Sequence, residues 1–164
     1  VLNLFKNNPI FSDNNFSLGV AFNPYLPSLN FEKEIIRLEQ KIQSGLVTSI
    51  WIQFGTNISL FESRLEILKD IILSNIHNNF KKSDINLFGS ILIPSKQFLA
   101  RFKYRPWKGV YCSSEFLNSL DFANNIVLDL LKSYKHYAIS PIVETNTSSK
   151  ARLKPLINML QRSN

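Results

Sequence analysis

The sequence predicts an α/β fold of four βα units with parallel strands, half of an eight-unit TIM-type barrel. Three observations predict it. Short apolar runs alternate with longer amphipathic stretches along the chain. Those runs carry little polar alternation, as expected of parallel strands covered on both faces. Finally, 164 residues, 45% of them hydrophobic, suit one unit with a sizeable core but fall short of the roughly 250 residues of a closed barrel. A small doubly wound sheet is the competing architecture, yet its two edge strands would show the polar alternation these runs lack.

The elements follow in order. Leu18–Phe22 (LGVAF) is a continuous apolar run closed by Asn23-Pro24, a strand stopped by proline. Phe31, Ile35, Leu38 and Ile42 fall at i, i+4, i+7 and i+11, with Glu32 and Glu34 in the first turn and Gly45 past the end, so residues 31–44 read as an amphipathic helix. Val47–Phe54 is β-branched and aromatic, a second buried strand. Ser59-x-x-Glu62 reads as a capping box, and Phe61, Leu65, Leu68 and Ile72 form the stripe of the helix it opens. Ile85–Ile93, interrupted by Gly89 and ended by Pro94, is the third strand. Ser95–Arg101 is a short helix with Phe98, Leu99 and Phe102 inward. Pro106–Gly109 is a turn, Val110–Cys112 an extended piece, and Phe116–Leu131 one or two helices. His136–Val143 supplies the fourth strand, and Ala151–Leu160 a last helix that Pro155 delays or kinks. No linker or repeat interrupts residues 1–164, which read as a single unit.

Composition excludes several functions. The single cysteine, Cys112, rules out an internal disulfide and a Cys-based zinc site, and two histidines cannot build a His-rich centre. A reducing, cytoplasmic location is the expectation. No run approaches 18 apolar residues and no secretory leader is visible, so a membrane is not an expected partner. The formal charge of +7 includes Lys96, Arg101, Lys103, Arg105 and Lys108, interleaved with Phe98, Phe102, Tyr104 and Trp107. With 18 Asn in the chain, the cation excess reads first as compositional bias on a solvated face. Nucleic acid is therefore not the expected partner, and a small polyanionic ligand is the local alternative.

In α/β folds of either kind, ligands bind at the carboxyl ends of the strands. That rule selects Asn23, Gln53, Ser95, Lys96, Glu144, Thr145 and Asn146. Gln53 stands out, because an amide flanked by Trp51, Ile52 and Phe54 needs partners, and a planar heterocycle would supply both donor and acceptor. A neighbouring backbone group would serve equally well. None of the common nucleotide, nucleophile-elbow or zinc-helix motifs is present. His77 reads as a surface or cap residue, His136 as a structural residue at a strand start, and Cys112 as a small core residue.

The segment Leu18-Gly-Val-Ala-Phe-Asn-Pro-Tyr-Leu-Pro, the helix ending Arg37-Leu-Glu-Gln-Lys-Ile-Gln-Ser-Gly45 and the strand carrying Gln53 together resemble the methylenetetrahydrofolate reductase family. Phe88-Gly-Ser-Ile-Leu-Ile-Pro94 is similar to that family's Pro-Gly-Ile-x-Pro strand, and Lys108-Gly-Val-Tyr-Cys-Ser-Ser-Glu-Phe-Leu to its following turn and helix. The resemblance covers the second, C-terminal half of the reductase barrel. It implies an FAD-dependent oxidoreductase of one-carbon metabolism and methionine supply, reducing methylenetetrahydrofolate to methyltetrahydrofolate with NADH or NADPH as donor. Carried over by position, it implies Ala21 as a backbone contact to flavin and Asn23 beside it, Glu34 as the acidic flavin-ribose contact, Lys41 as a basic cofactor contact, and Gln53 as the amide facing the folate pterin. The basic stretch from Lys96 to Lys108 would suit the folate glutamate tail.

The sequence also departs from the family pattern. Ile52 stands in place of the family's Thr, and Phe54-Gly55-Thr56-Asn57 in place of its aromatic pair and Asp. Asn23 and Pro27 stand where many members carry Tyr and His. The family's catalytic glutamate and flavin-binding His and Asp belong to the first barrel half, to which no part of this chain corresponds. With Val1 rather than Met at the start, the expected partner is that missing half, upstream or on another chain, and a homo-oligomer is left open. A non-catalytic folate-binding or partner-binding module derived from the same barrel is the second reading.

Overall fold

The computed structural model describes residues 17–77 and 85–144, with Lys154, Ile157, Asn158 and Gln161 at helical positions beyond them. In chain order the described elements are β1 (Leu18–Phe22), α1 (Ser28–Gln43), β2 (Val47–Ile52), α2 (Ile58–His77), β3 (Asn86–Leu92), α3 (Lys96–Tyr104), α4 (Ser114–Asn118), α5 (Leu120–His136) and β4 (Ser140–Glu144). The four strands form one parallel sheet in the order β1-β2-β3-β4. The fold is thus α/β, as expected. A doubly wound sheet reverses its strand order at a switch point, and these four strands contain no reversal. Right-handed crossovers that always step in one direction also place every connecting helix on the same face.

That winding corrects one expectation. The strands are not buried on both faces. Phe22, Ile50, Ile52 and Ile91 are buried against the helices, whereas Gly19, Ala21, Asn86, Ser140 and Glu144 are exposed. Trp51 is 48% exposed on the open face. Its ring lies 5.2 Å from Phe88 and its Nε1–H donates to Ser49 Oγ at 3.2 Å. Ser90 Oγ donates to the Glu144 carboxylate beside this pair. A shift in register, with Leu18 opposite Val47 but Gly19 opposite Ser49, inserts one extra residue into β2. The bulge changes the phase of the strand, so Val47 faces the core although its parity matches that of Trp51.

Local chemistry also moves several boundaries. Helix α1 starts at Ser28, a turn before the expected site, with Pro27 preceding it and no side-chain cap. Glu32 and Glu34 therefore lie beyond its first turn. Its end is as expected: Gly45 adopts φ 73°, the left-handed conformation glycine accepts without a Cβ penalty. The expected capping box does not form. Asn57 caps α2, its Oδ1 accepting from the Leu60 N–H at 3.0 Å, and Glu62 instead accepts from Ser133 Oγ at 2.6 Å. Asn is as good a cap as Ser, and here it stands one residue before the helix. His136 closes α5 rather than opening β4, because the helix runs on to an αL residue, Ala138 (φ 53°), that no glycine announces. The stretch 116–131 resolves into α4 and α5, each opened by a serine cap, Ser113 and Ser119. The expected helix over 151–160 lies largely outside the described residues.

The core lies between the sheet and α1, α2 and α5. Phe31, Leu38 and Ile42 from α1 and Phe61, Leu65 and Leu68 from α2 are buried there, together with Val127, Leu130 and Tyr134 from α5. Buried Arg64 on α2 ties the β1–α1 connection down: its Nη1 donates to the carbonyls of Pro24 at 2.5 Å and Leu26 at 2.6 Å. Its guanidinium also lies 3.9 Å from the centre of the Phe31 ring.

Candidate functional site

The carboxyl ends of β1 and β2 lie abreast, because the Gln53 N–H donates to Phe22 O at 2.9 Å. This places Asn23 and Gln53, the residues that follow the two strands, side by side. The segment after α3 then folds back across both. Asn23 Nδ2 donates to Gly109 O at 2.8 Å, and Asn23 Oδ1 accepts from the Tyr25 N–H at 3.0 Å. Gly55 forms a parallel bridge with Tyr111, the Thr56 N–H donates to Tyr111 O at 3.1 Å, and Thr56 Oγ1 accepts from the Ser113 N–H at 2.8 Å. A rim of backbone and small polar groups results, built from three connections distant in sequence.

Beneath the rim sits Tyr25. A Cβ on Gly55 would fall 2.4 Å from the Tyr25 ring, so only glycine lets the backbone pass so close. The ring also stacks on Phe61 at 6.0 Å. The Tyr25 hydroxyl is buried and has no hydrogen-bond partner among the described residues, and desolvation pushes its pKa well above the ordinary tyrosine value, with Tyr134 and Cys112 adding to the shift. Burial likewise pushes the Cys112 thiol up to about 12, which disfavours the reactive thiolate.

The expected site residues divide into two groups. Ala21, Asn23 and Gln53 cluster at the carboxyl ends of β1 and β2. Because Phe22 O points towards β2, the Ala21 N–H and C=O project from the opposite edge of β1, which pairs with no described strand. Gln53 is half-buried, and its Oε1 accepts from the Phe54 N–H at 2.9 Å. Its acceptor is thus engaged locally and its two amide hydrogens remain for another partner. Glu34 lies in the second turn of α1. Lys41 lies in the last turn, seven residues and about 10 Å further along the axis, near the end that leads into β2, so it does not join the cluster. Ser95 is spent as the α3 cap, accepting from the Phe98 N–H at 3.0 Å. Lys96 is exposed, Glu144 ends β4, and Thr145 and Asn146 lie outside the described residues.

Elsewhere, a shallow cavity of about 300 Å³ between α2 and α5 is lined by Ile58, Glu62, Asp129, Lys132, Ser133 and His136. Among the described residues no group of His, Cys, Asp and Glu could hold a metal ion, and no helix is long and apolar enough to cross a membrane. Sequence reasoning missed Thr56, Tyr111 and Ser113. Their roles depend on contacts spanning more than fifty residues, and their only local signal is the serine cap at Ser113. No model of a known protein family matches this chain, and no curated protein matches it.

Proposed function

We propose that this chain is the C-terminal half of a methylenetetrahydrofolate reductase-like barrel and supplies the pterin amide and part of the flavin site. The observation that carries this reading is the sequential parallel sheet with Asn23 and Gln53 abreast at the carboxyl ends of neighbouring strands. This is the end at which barrel enzymes assemble their sites. The residues fit a flavin in part: the outward N–H and C=O of Ala21 can meet the polar edge of a planar ring, whereas Lys41 is placed too far away and is given no role. Bound FAD would supply hydride transfer from a nicotinamide donor to the folate methylene. This chain's own contribution is to bind and orient, with the free amide hydrogens of Gln53 donating to a pterin acceptor.

The occupied Oε1 of Gln53 favours a second reading, a non-catalytic folate-binding module, because a bidentate pterin contact would require the amide to release the Phe54 N–H. The use of Asn57, within the stretch that replaces the family's aromatic pair and Asp, as the α2 cap points the same way. Two measurements separate the readings. The polypeptide extended upstream to eight units should purify with visible flavin absorbance, and its absence refutes the enzyme reading. Reduced folate should bind, and Gln53→Ala should weaken binding by roughly tenfold, about the worth of one good hydrogen bond. If folate does not bind at all, both readings fail.

A further inference from the structure

No carboxylate falls between Asp84 and Glu115, while Lys96, Arg101, Lys103, Arg105 and Lys108 all do. All five are exposed, and none takes part in an ion pair among the described residues. An ordinary solvated stretch intersperses both signs, and this stretch of chain does not. The backbone that carries the cations is also held in place. Leu99 and Phe102 bury the inner side of α3. Phe98, Phe102 and Trp107 pack on one another with ring centres 5.7 to 6.0 Å apart, which folds the 105–108 segment back against the helix. The Asn23–Gly109 hydrogen bond fixes its far end.

Helical geometry arranges what remains outside. At 100° per residue, the exposed side of α3 centres on Tyr104, with Lys96 and Lys103 to one flank and Arg101 to the other, and Arg105 follows as the residue that ends the helix. Tyr104 is 93% exposed, an unusual state for a large ring with a substantial apolar surface. An exposed ring with cations on both sides has the form of a stacking platform with an electrostatic funnel around it.

We propose that the outer face of α3 and the following turn bind single-stranded nucleic acid, the cations taking phosphates and Tyr104 stacking on a base. This function does not rest on the folate reading: its contacts come from the Lys96–Lys108 stretch alone, with Asn23 and Gln53 making none of them, although a folate glutamate tail would compete for the same cations. An acidic polypeptide would use the same cations but would have no use for the ring, and that difference is the test.

Fluorescence anisotropy of a labelled oligouridylate with the full 164-residue chain should show binding that weakens by about 7- to 130-fold between about 50 and 200 mM salt, as two to five phosphate contacts require. Tyr104→Ala should weaken it at least about fivefold at fixed salt, and the double charge reversal Lys103→Glu with Arg105→Glu should abolish it. All three side chains are exposed, so circular dichroism should show unchanged folding. Absence of salt-dependent oligonucleotide binding overturns the proposal. So does equal binding of a polyglutamate peptide with no loss in Tyr104→Ala, which would mark the strip as a site for acidic polypeptides.

Discussion

Substituting Gly89 by alanine tests how tightly the sheet and α5 are pressed together. The added methyl would lie 2.3 Å from Cε2 and Cζ of Tyr134 and 2.6 Å from its hydroxyl. Carbon atoms in contact prefer about 3.5–4.0 Å, so the ring must withdraw by more than about 1 Å. It has little room to do so, because Tyr134 is fully buried, lies 5.5 Å from the Phe61 ring and donates its O–H to Ser90 O at 3.0 Å. Overpacking of this kind costs about 1–3 kcal/mol, and losing the hydrogen bond about 1 kcal/mol more. Replacing a strand glycine returns about 0.5–1 kcal/mol of backbone entropy. The net expectation is a destabilisation of about 1–3 kcal/mol, large against a typical total of about 5–15 kcal/mol. Urea unfolding followed by tryptophan fluorescence measures it directly. In a Tyr134→Leu background the same substitution should cost less than about 1 kcal/mol, because the ring that blocks the methyl is gone, and the difference is the coupling energy of the pair. A Gly89→Ala midpoint equal to that of the parent, or an undiminished cost in the Tyr134→Leu background, would refute the packing argument.

Two further outcomes follow from local geometry. Ala138 sits in the left-handed region at φ 53° as the C′ residue of α5, with the Ile139 N–H donating to Tyr134 O at 2.8 Å and the Ala138 N–H to Lys135 O at 3.3 Å. Glycine carries no Cβ penalty there, so Ala138→Gly should stabilise the fold by about 1 kcal/mol, which a thermal melt would show as a rise of about 2–4 °C. Cys112 is raised by burial from 9.0 to about 12, so its linked stability is full below about pH 9, where the unfolded thiol is still protonated, and declines as the pH rises towards about 12. Iodoacetamide should therefore alkylate the folded protein at about pH 9 far more slowly than the urea-unfolded chain, and equal rates would sink the burial argument.

Much of the sheet was legible because proline and periodicity act locally. Asn23-Pro24 and Pro94 stop β1 and β3 near where the apolar runs end, and the stripe Phe61-Leu65-Leu68 faces the core as its spacing requires. What sequence concealed was decided by competition between near-equal options or by distant partners. Asn57 and Ser59 are both good caps, and only the path of the chain chooses between them. The end of α5 was hidden because alanine occupies a position at which glycine would have announced it. The bulge in β2 leaves no compositional trace, and the exposed face of Trp51 cannot be told from a buried one in an apolar run. At the candidate site, Gln53 could be placed at a strand end from pattern alone. Gly109, Tyr111 and Ser113 could not, because hydrogen bonds to Asn23 and Thr56 spanning 55 to 86 residues bring them there.

The one-directional strand order has a further consequence for how the chain reaches this state. Each strand docks on the one made just before it, so the sheet can grow by accretion as the polypeptide leaves the ribosome, with each new βα unit finding its template already in place. The clasp from Asn23 to Gly109 works on a different schedule, because it must wait until β3 and α3 have been synthesised. The rim over the strand ends therefore closes only after three strands have been made, and a chain paused before Gly109 would hold β1, β2 and β3 side by side while its candidate site stayed open.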